Sequence, residues 1–443
     1  MRTRNTGPRR HLLSLLCAGL AVALPAGAAS LRPAAHGPAA HAAAAHGQAI
    51  HGPEHPVTAA AAAARPSAAD LAVRFQALLG QHSALAADLM RSRIRGDESF
   101  AQAANAALGG NTDAMTTLVG QLFGAATAEK FRPMWSGHVV ALVAYAGAVA
   151  DRDNAAKGRA RAELVEDEQE LGRFFAGASH GRLSPKAARA AVVMHVGHLT
   201  GQADAYAAAD YATADRLYRE GYQHTYGLGL TLADALLPAA DRATLRAPVW
   251  RLRSQLGEVL AEHAVLLEDV NRAAVANTPD FDAAGDMLND NTRDLAAAVD
   301  TLFGASTARR FQSLWASHVE LLVGYAGATA AGKPDRRHRA QAELRTFEHD
   351  MAAVLAPATG GRVSAADLSA ALQEHDRMLI EHADAYAARD YRGAQDLAGR
   401  TYEHMFALAR RLADGFGATV AARLPHGGAQ TGYGGLAGVA EHG

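Results

Sequence analysis

Polar residues recur at the centres of apolar helical stretches in this 443-residue chain. In the first half, these positions hold His82, Asn111, His138, Glu168, His195 and His224. In the second half, the same order returns as His263, Asn291, His318, Glu348, His375 and His404. Neutral imidazole is a common metal ligand, and a carboxylate balances the charge of the ion. Each half is therefore predicted to hold a metal site or a buried hydrogen-bond network.

The residues around these positions favour copper as the metal. His198 lies one turn after His195, and the matching position of the second half is Met378. Histidine and methionine both serve as copper ligands. The only cysteine, Cys17, lies in an expected signal peptide, so a thiolate-based zinc site is excluded from the mature chain. We expect copper, with zinc as the alternative, and no organic cofactor is indicated.

The candidate site residues comprise metal ligands and supporting side chains. The ligand candidates of the first half are His82, His138, Glu168, His195, His198 and His224. Those of the second half are His263, His318, Glu348, His375, Met378 and His404. The supporting candidates are Asn111, Tyr145, Asn291 and Tyr325. Each tyrosine lies two helical turns from the central histidine, where it can hydrogen-bond to the imidazole.

Three functions are compatible with an inward polar layer. The first is a metal-binding protein, because an ion offsets the cost of burying imidazole and carboxylate groups. The second is a structural or interaction module, in which the layer only fixes helix register. A pocket for a small organic ligand is a separate alternative for the same layer. The third is a metal-dependent redox enzyme. The sequence contains no nucleophile elbow, phosphate-binding loop or His-Glu-x-x-His motif, so binding is favoured over catalysis.

The elements that carry these residues are predicted to be helices. Apolar residues around His138 recur every three or four positions, as Phe131, Trp135, Leu142 and Tyr145 show. The predicted helix N-caps are Ser67, Thr127, Ser184 and Asp210. No strand-like alternation competes with this pattern, so the fold class is all-α.

A tandem duplication organises the helical part of the chain. Residues 111–230 align with 291–410 without a gap at roughly 40% identity. We therefore predict two homologous bundles, residues 67–240 and 248–418, each of about six helices arranged as three hairpins.

The ends of the chain differ from this helical part. Residues 1–29 are basic and then apolar, which predicts a signal peptide and an exported protein, secreted or bound to the cell envelope. An Ala/His/Pro-rich linker over 30–66 and a Gly-rich tail over 424–443 are predicted to be disordered. The net charge of -2 offers no electrostatic basis for nucleic-acid binding. No segment after the signal peptide is predicted to span a membrane. The expected partner is a metal ion or small ligand.

Short motifs in both repeats resemble those of exported bacterial α-helical tandem-repeat proteins, which are sometimes labelled copper amine oxidase-like. The motifs are Trp135-Ser136-Gly137-His138-Val139, Trp315-Ala316-Ser317-His318-Val319, Tyr222-Gln223-His224 and Tyr402-Glu403-His404. The resemblance covers about 67–416, and its label implies a copper centre and a tyrosine-derived quinone. The quinone requires an Asn-Tyr pair, which this sequence lacks, and those oxidases are β-rich. The resemblance therefore supports only the copper centre.

Overall fold

A computed structural model describes residues 66–421 of the chain, with side chains as far as residue 417. This part is all-α, as predicted, and contains no strand. The first six helices are α1 (Ala68–Arg95), α2 (Glu98–Phe123), α3 (Ala125–Ala150), α4 (Asn154–Ala178), α5 (Pro185–Ala207) and α6 (Tyr211–Leu236). The expected signal peptide, most of the linker and the C-terminal tail lie outside the described residues.

A short helix, α7 (Ala239–Leu245), leads into a second series of six. These are α8 (Pro248–Ala276), α9 (Phe281–Phe303), α10 (Ala305–Ala330), α11 (Pro334–Leu355), α12 (Ala365–Ala387) and α13 (Tyr391–Ala421). A single 3₁₀ turn over Pro357–Thr359 separates α11 from α12. The helix boundaries therefore follow the order of the duplication, with α8–α13 matching α1–α6.

Three of the four predicted N-caps begin helices. The side chains of Ser67, Ser184 and Asp210 accept hydrogen bonds from backbone N–H groups of the first turns of α1, α5 and α6. Thr127 does not cap α3, because the helix has already begun at Ala125. Gly124 adopts a positive φ of 87° and joins α2 directly to α3, so no separate cap position remains. The Thr127 hydroxyl instead donates to the Phe123 carbonyl.

The first helices of the three hairpins pack against one another. In the first repeat α1, α3 and α5 are in mutual contact, and in the second repeat α8, α10 and α12 repeat the arrangement. The second helices of the hairpins pack onto this inner set, α2 on α1, α4 on α3 and α6 on α5. The face that each inner helix turns toward the other two is therefore the place where polar side chains can converge.

The two repeats form one compact unit. Contacts between them run from α1, α2 and α6 of the first repeat to α8, α9 and α13 of the second. Helices α1 and α8 are buried almost all round along their central turns. A helix surrounded in this way belongs to a core rather than to a surface. Each of the two therefore contributes both to its own bundle and to the interface between the repeats.

Among the described residues, one helix is long and apolar enough to cross a membrane, namely α3. Its buried side contacts α1, α2, α4 and α5, as the core helix of a bundle does. The composition of α3 thus agrees with its position in the fold.

Candidate metal centres

Two histidine triads lie inside the protein, one in each repeat. His82 from α1, His138 from α3 and His195 from α5 form the first triad. His263 from α8, His318 from α10 and His375 from α12 form the second. Within each triad, one ring nitrogen per histidine lies within 4.8 Å of those of the other two. An ion about 2 Å from each nitrogen requires ring movements of only about 1 Å.

The first triad is enclosed and its nitrogens lack partners. The exposed fraction is 0% for His82 and His138 and 4% for His195. Within the described part of the chain, none of the six ring nitrogens makes a hydrogen bond. Such buried polar groups are costly unless something binds them. The donor set therefore fits a metal ion, which three imidazole lone pairs can coordinate together.

Trp135 forms one wall of the first triad, with its ring centroid 4.6 Å from that of His82. Its counterpart Trp315 lies 4.7 Å from His263 and donates from Nε1 to the His263 Nδ1 at 3.4 Å. Phe131 and Phe311 stack on the two tryptophans. Each triad is thus held against an aromatic wall that excludes water from one side.

Burial keeps the imidazoles in the neutral form that binds metals. It lowers the pKa of His138 and of His318 to about 4. The pKa values of the other four triad histidines fall well below the ordinary 6.5, again mainly through burial and partly through neighbouring imidazoles. A deprotonated nitrogen is therefore present at neutral pH on every triad residue.

The second triad has hydrogen bonds and a carboxylate that the first lacks. His318 donates from Nδ1 to the Trp315 carbonyl at 2.8 Å, so its Nε2 carries the lone pair. The Oδ1 atom of Asp376 lies 3.9 Å from this Nε2. Asp376 is 1% exposed and neighbours Glu348. Asp376 is not among the ligands predicted from the sequence, although the alignment of the repeats distinguishes it, because the matching residue is Val196.

The two glutamates proposed as ligands lie apart from the triads, on α4 and α11. Glu168 pairs with Arg161 at 2.7 Å. Glu348 has Asp376, Gln373 and Arg345 as neighbours. Glu168 is therefore neutralised by an arginine, and Glu348 approaches the second triad only through Asp376.

The remaining ligand candidates occupy a second layer. His224 and His404 form hydrogen bonds from Nε2 to backbone carbonyls of the preceding helix, at 3.0 and 2.9 Å. His198 lies beside His224, with ring centroids 5.5 Å apart and the ring planes tilted by 60°. Met378, the counterpart of His198, is buried at 3% exposure. These side chains belong to neither group of converging nitrogens, since His224 and His404 extend from the outer helices α6 and α13.

The supporting candidates hold helices together, and Asn291 also interacts with the ring of His263 in the second triad. Asn111 donates to the Leu78 carbonyl at 2.9 Å and to Gln81, and Asn291 donates to the Val259 carbonyl at 3.0 Å. These bonds fix α2 on α1 and α9 on α8.

The two tyrosines hydrogen-bond to aspartates near the helix ends and not to histidine, as had been expected. Tyr145 donates to Asp204 at 3.0 Å and Tyr325 to Asp384 at 2.9 Å. Two turns of helix carry each hydroxyl about 10 Å from the histidine level, which explains the difference.

Comparison with known protein families, curated proteins and solved structures gives no match. The geometry of the two triads is therefore the feature that points to a function.

Proposed function

We propose that the protein binds two transition-metal ions, one in each histidine triad. The observation that carries this proposal is the convergence of three buried imidazoles at matching positions of both repeats. Imidazole sites without thiolate suit copper and zinc. Copper is favoured, since the resemblance of the repeat motifs implies a copper centre, and zinc is next.

Burial of the triads favours storage of a metal ion over catalysis at that ion. The six histidines are 4% exposed or less, so a substrate has no direct approach to an ion held among them. A buried ion exchanges slowly, which suits storage or buffering. Together with the expected signal peptide, this supports a protein that binds or buffers metal outside the cytoplasm.

Metal content measured by mass spectrometry tests the proposal. The full chain is stripped with a chelator, reloaded with copper or zinc, and freed of excess metal. We expect two ions per chain in the wild type, one in His138→Ala and one in His318→Ala. The double variant should hold none, because each substitution removes one of three ligands at the centre of a triad.

An exposed histidine provides the matched control. His349 has a side chain that is 81% exposed, and His349→Ala should keep both ions. Absence of bound copper and zinc from a folded wild-type chain would overturn the proposal. The triads would then be a structural network, in which His138→Leu folds without loss of stability.

A further inference from the structure

The two centres differ at one buried position next to a triad histidine. In α5, Val196 follows His195, whereas in α12 Asp376 follows His375. Three other positions of this segment are identical in the two repeats, namely Ala191 and Ala371, His195 and His375, and Leu199 and Leu379. The change therefore replaces an apolar side chain by a carboxylate at an otherwise matching place in the core.

The Asp376 carboxyl lies beside His318 of the second triad and has the Glu348 carboxyl as its other polar neighbour. Its side chain is 1% exposed, and neither oxygen receives a hydrogen bond from an N–H group within residues 66–417. The Nε2 lone pair of His318 lies 3.9 Å from Oδ1. A cation between these two atoms would attract both. The geometry thus suits an ion held jointly by imidazole and carboxylate.

A second difference concerns the glutamate next to the same centre. In the first repeat, Arg161 neutralises Glu168 at 2.7 Å. The residue that matches Arg161 in the second repeat is Gln341, which carries no charge. Glu348 therefore lacks the 2.7 Å ion pair of its counterpart, although Arg345 is a neighbouring cation, and it lies beside Asp376. The first centre offers three neutral ligands, and the second offers three neutral ligands with an adjacent acidic pair.

We propose that Asp376 is the fourth protein ligand of the second centre, which makes this centre selective for a divalent cation such as zinc. This inference rests on the proposed function. Zinc is commonly bound by histidine nitrogens together with a carboxylate oxygen in a tetrahedral set. The first centre has Val196 at that position, so it offers three neutral imidazoles, which suit copper as well as zinc, and no carboxylate that would favour a divalent ion.

Zinc titration of single-site proteins in competition with a chromophoric chelator tests the assignment. Full-length His138→Ala retains only the second centre, and full-length His318→Ala retains only the first. In the His138→Ala background, Asp376→Val and Asp376→Asn should each weaken zinc binding by about 10- to 100-fold. The valine copies the first repeat, and the asparagine keeps the shape of the side chain without its charge. The d–d absorption of cobalt(II) at the second centre should also change in both variants.

The reciprocal substitution serves as the matched control. In the His318→Ala background, Val196→Asp should raise the zinc affinity of the first centre. Unchanged zinc affinity and an unchanged cobalt spectrum in folded Asp376→Val and Asp376→Asn proteins would overturn the inference and leave the proposed function intact. If neither single-site protein bound zinc or copper, the inference and the proposed function would both be overturned. Circular dichroism verifies folding, and Asp376→Asn decides the result if the valine variant unfolds.

Discussion

Burial away from water shifts the pKa values of single residues throughout this core. Each triad imidazole is neutral because its charged form would lose hydration, and the same effect favours the protonated form of a buried acid. Glu268 on α8 shows the second case away from the metal centres. It is 2% exposed, and its Oε1 atom has no hydrogen-bond partner among the described residues. Burial raises the pKa of Glu268 to about 8, with Arg272 opposing and Asp88 adding to the shift.

Glu268→Gln should therefore change the pH dependence of stability. When a carboxyl has a raised pKa in the folded state, its contribution is fully present below the unfolded value of 4.5 and is lost as pH rises toward 8. Glutamine removes this loss. Relative to wild type, the variant should gain about 2–4 kcal/mol in free energy of unfolding between pH 5 and pH 8.5. Urea unfolding of metal-free wild type and variant at both pH values measures this difference in the free energy of unfolding. An equal difference at both values would contradict the prediction.

Close approach of neighbouring helices governs packing at the scale of elements. Helices α1 and α6 form one of the main contacts of the first repeat. Gly229 on α6 faces the α1 backbone so closely that an added Cβ would lie 2.5 Å from the Cα of Gln76. Atoms do not approach to that distance without displacement of the backbone. The position of α1, and with it His82, thus depends on the absence of a side chain at residue 229.

Gly229→Ala should destabilise the protein by about 1–3 kcal/mol, because α6 must move away from α1. The same substitution at Gly109, which is exposed on α2 and has no atom near the added Cβ, should stabilise by about 0.5–1 kcal/mol. Thermal unfolding of both variants is the measurement. A Gly229→Ala protein as stable as Gly109→Ala would show that the α1–α6 contact has room for an added Cβ and would contradict the prediction.

At the scale of the whole molecule, reciprocal ion pairs join the two repeats. Asp88 and Arg91 follow His82 on α1 at the same spacing at which Asp269 and Arg272 follow His263 on α8. Arg272 contacts Asp88 at 2.8 Å, and Arg91 contacts Asp269 at 3.4 Å. All four residues are buried at 8% exposure or less. The duplication has therefore placed matching charges so that each repeat neutralises the other.

Arg272→Met should destabilise the protein by about 3–5 kcal/mol, because it leaves Asp88 buried without its nearest cation. Chemical denaturation of the full chain measures the loss. Arg216, which pairs with Glu220 on the surface of α6 with its side chain 57% exposed, provides the control. Arg216→Met should cost less than about 1 kcal/mol. Equal losses in the two variants would mean that the interface charges are hydrated.

The sequence by itself determined the helices, their order and their duplication. Helix periodicity and capping are local properties, so Ser67 and Asp210 could be assigned as caps without a structure. The inward histidines were recognisable for the same reason, since a polar residue interrupts an apolar stripe. These observations also selected all six triad histidines, although within a larger set.

Only the tertiary structure decided which polar positions meet. Local periodicity shows that a residue points inward but not which helices share a centre. His82, His138 and His195 converge because the first helices of the hairpins form the inner set, whereas His224 extends from an outer helix to a backbone carbonyl. Asp376 was missed because its counterpart is Val196, whereas the candidates were chosen mainly as polar positions shared by both repeats. Its relation to His318, 58 positions earlier in the numbering, depends on the packing of α12 against α10.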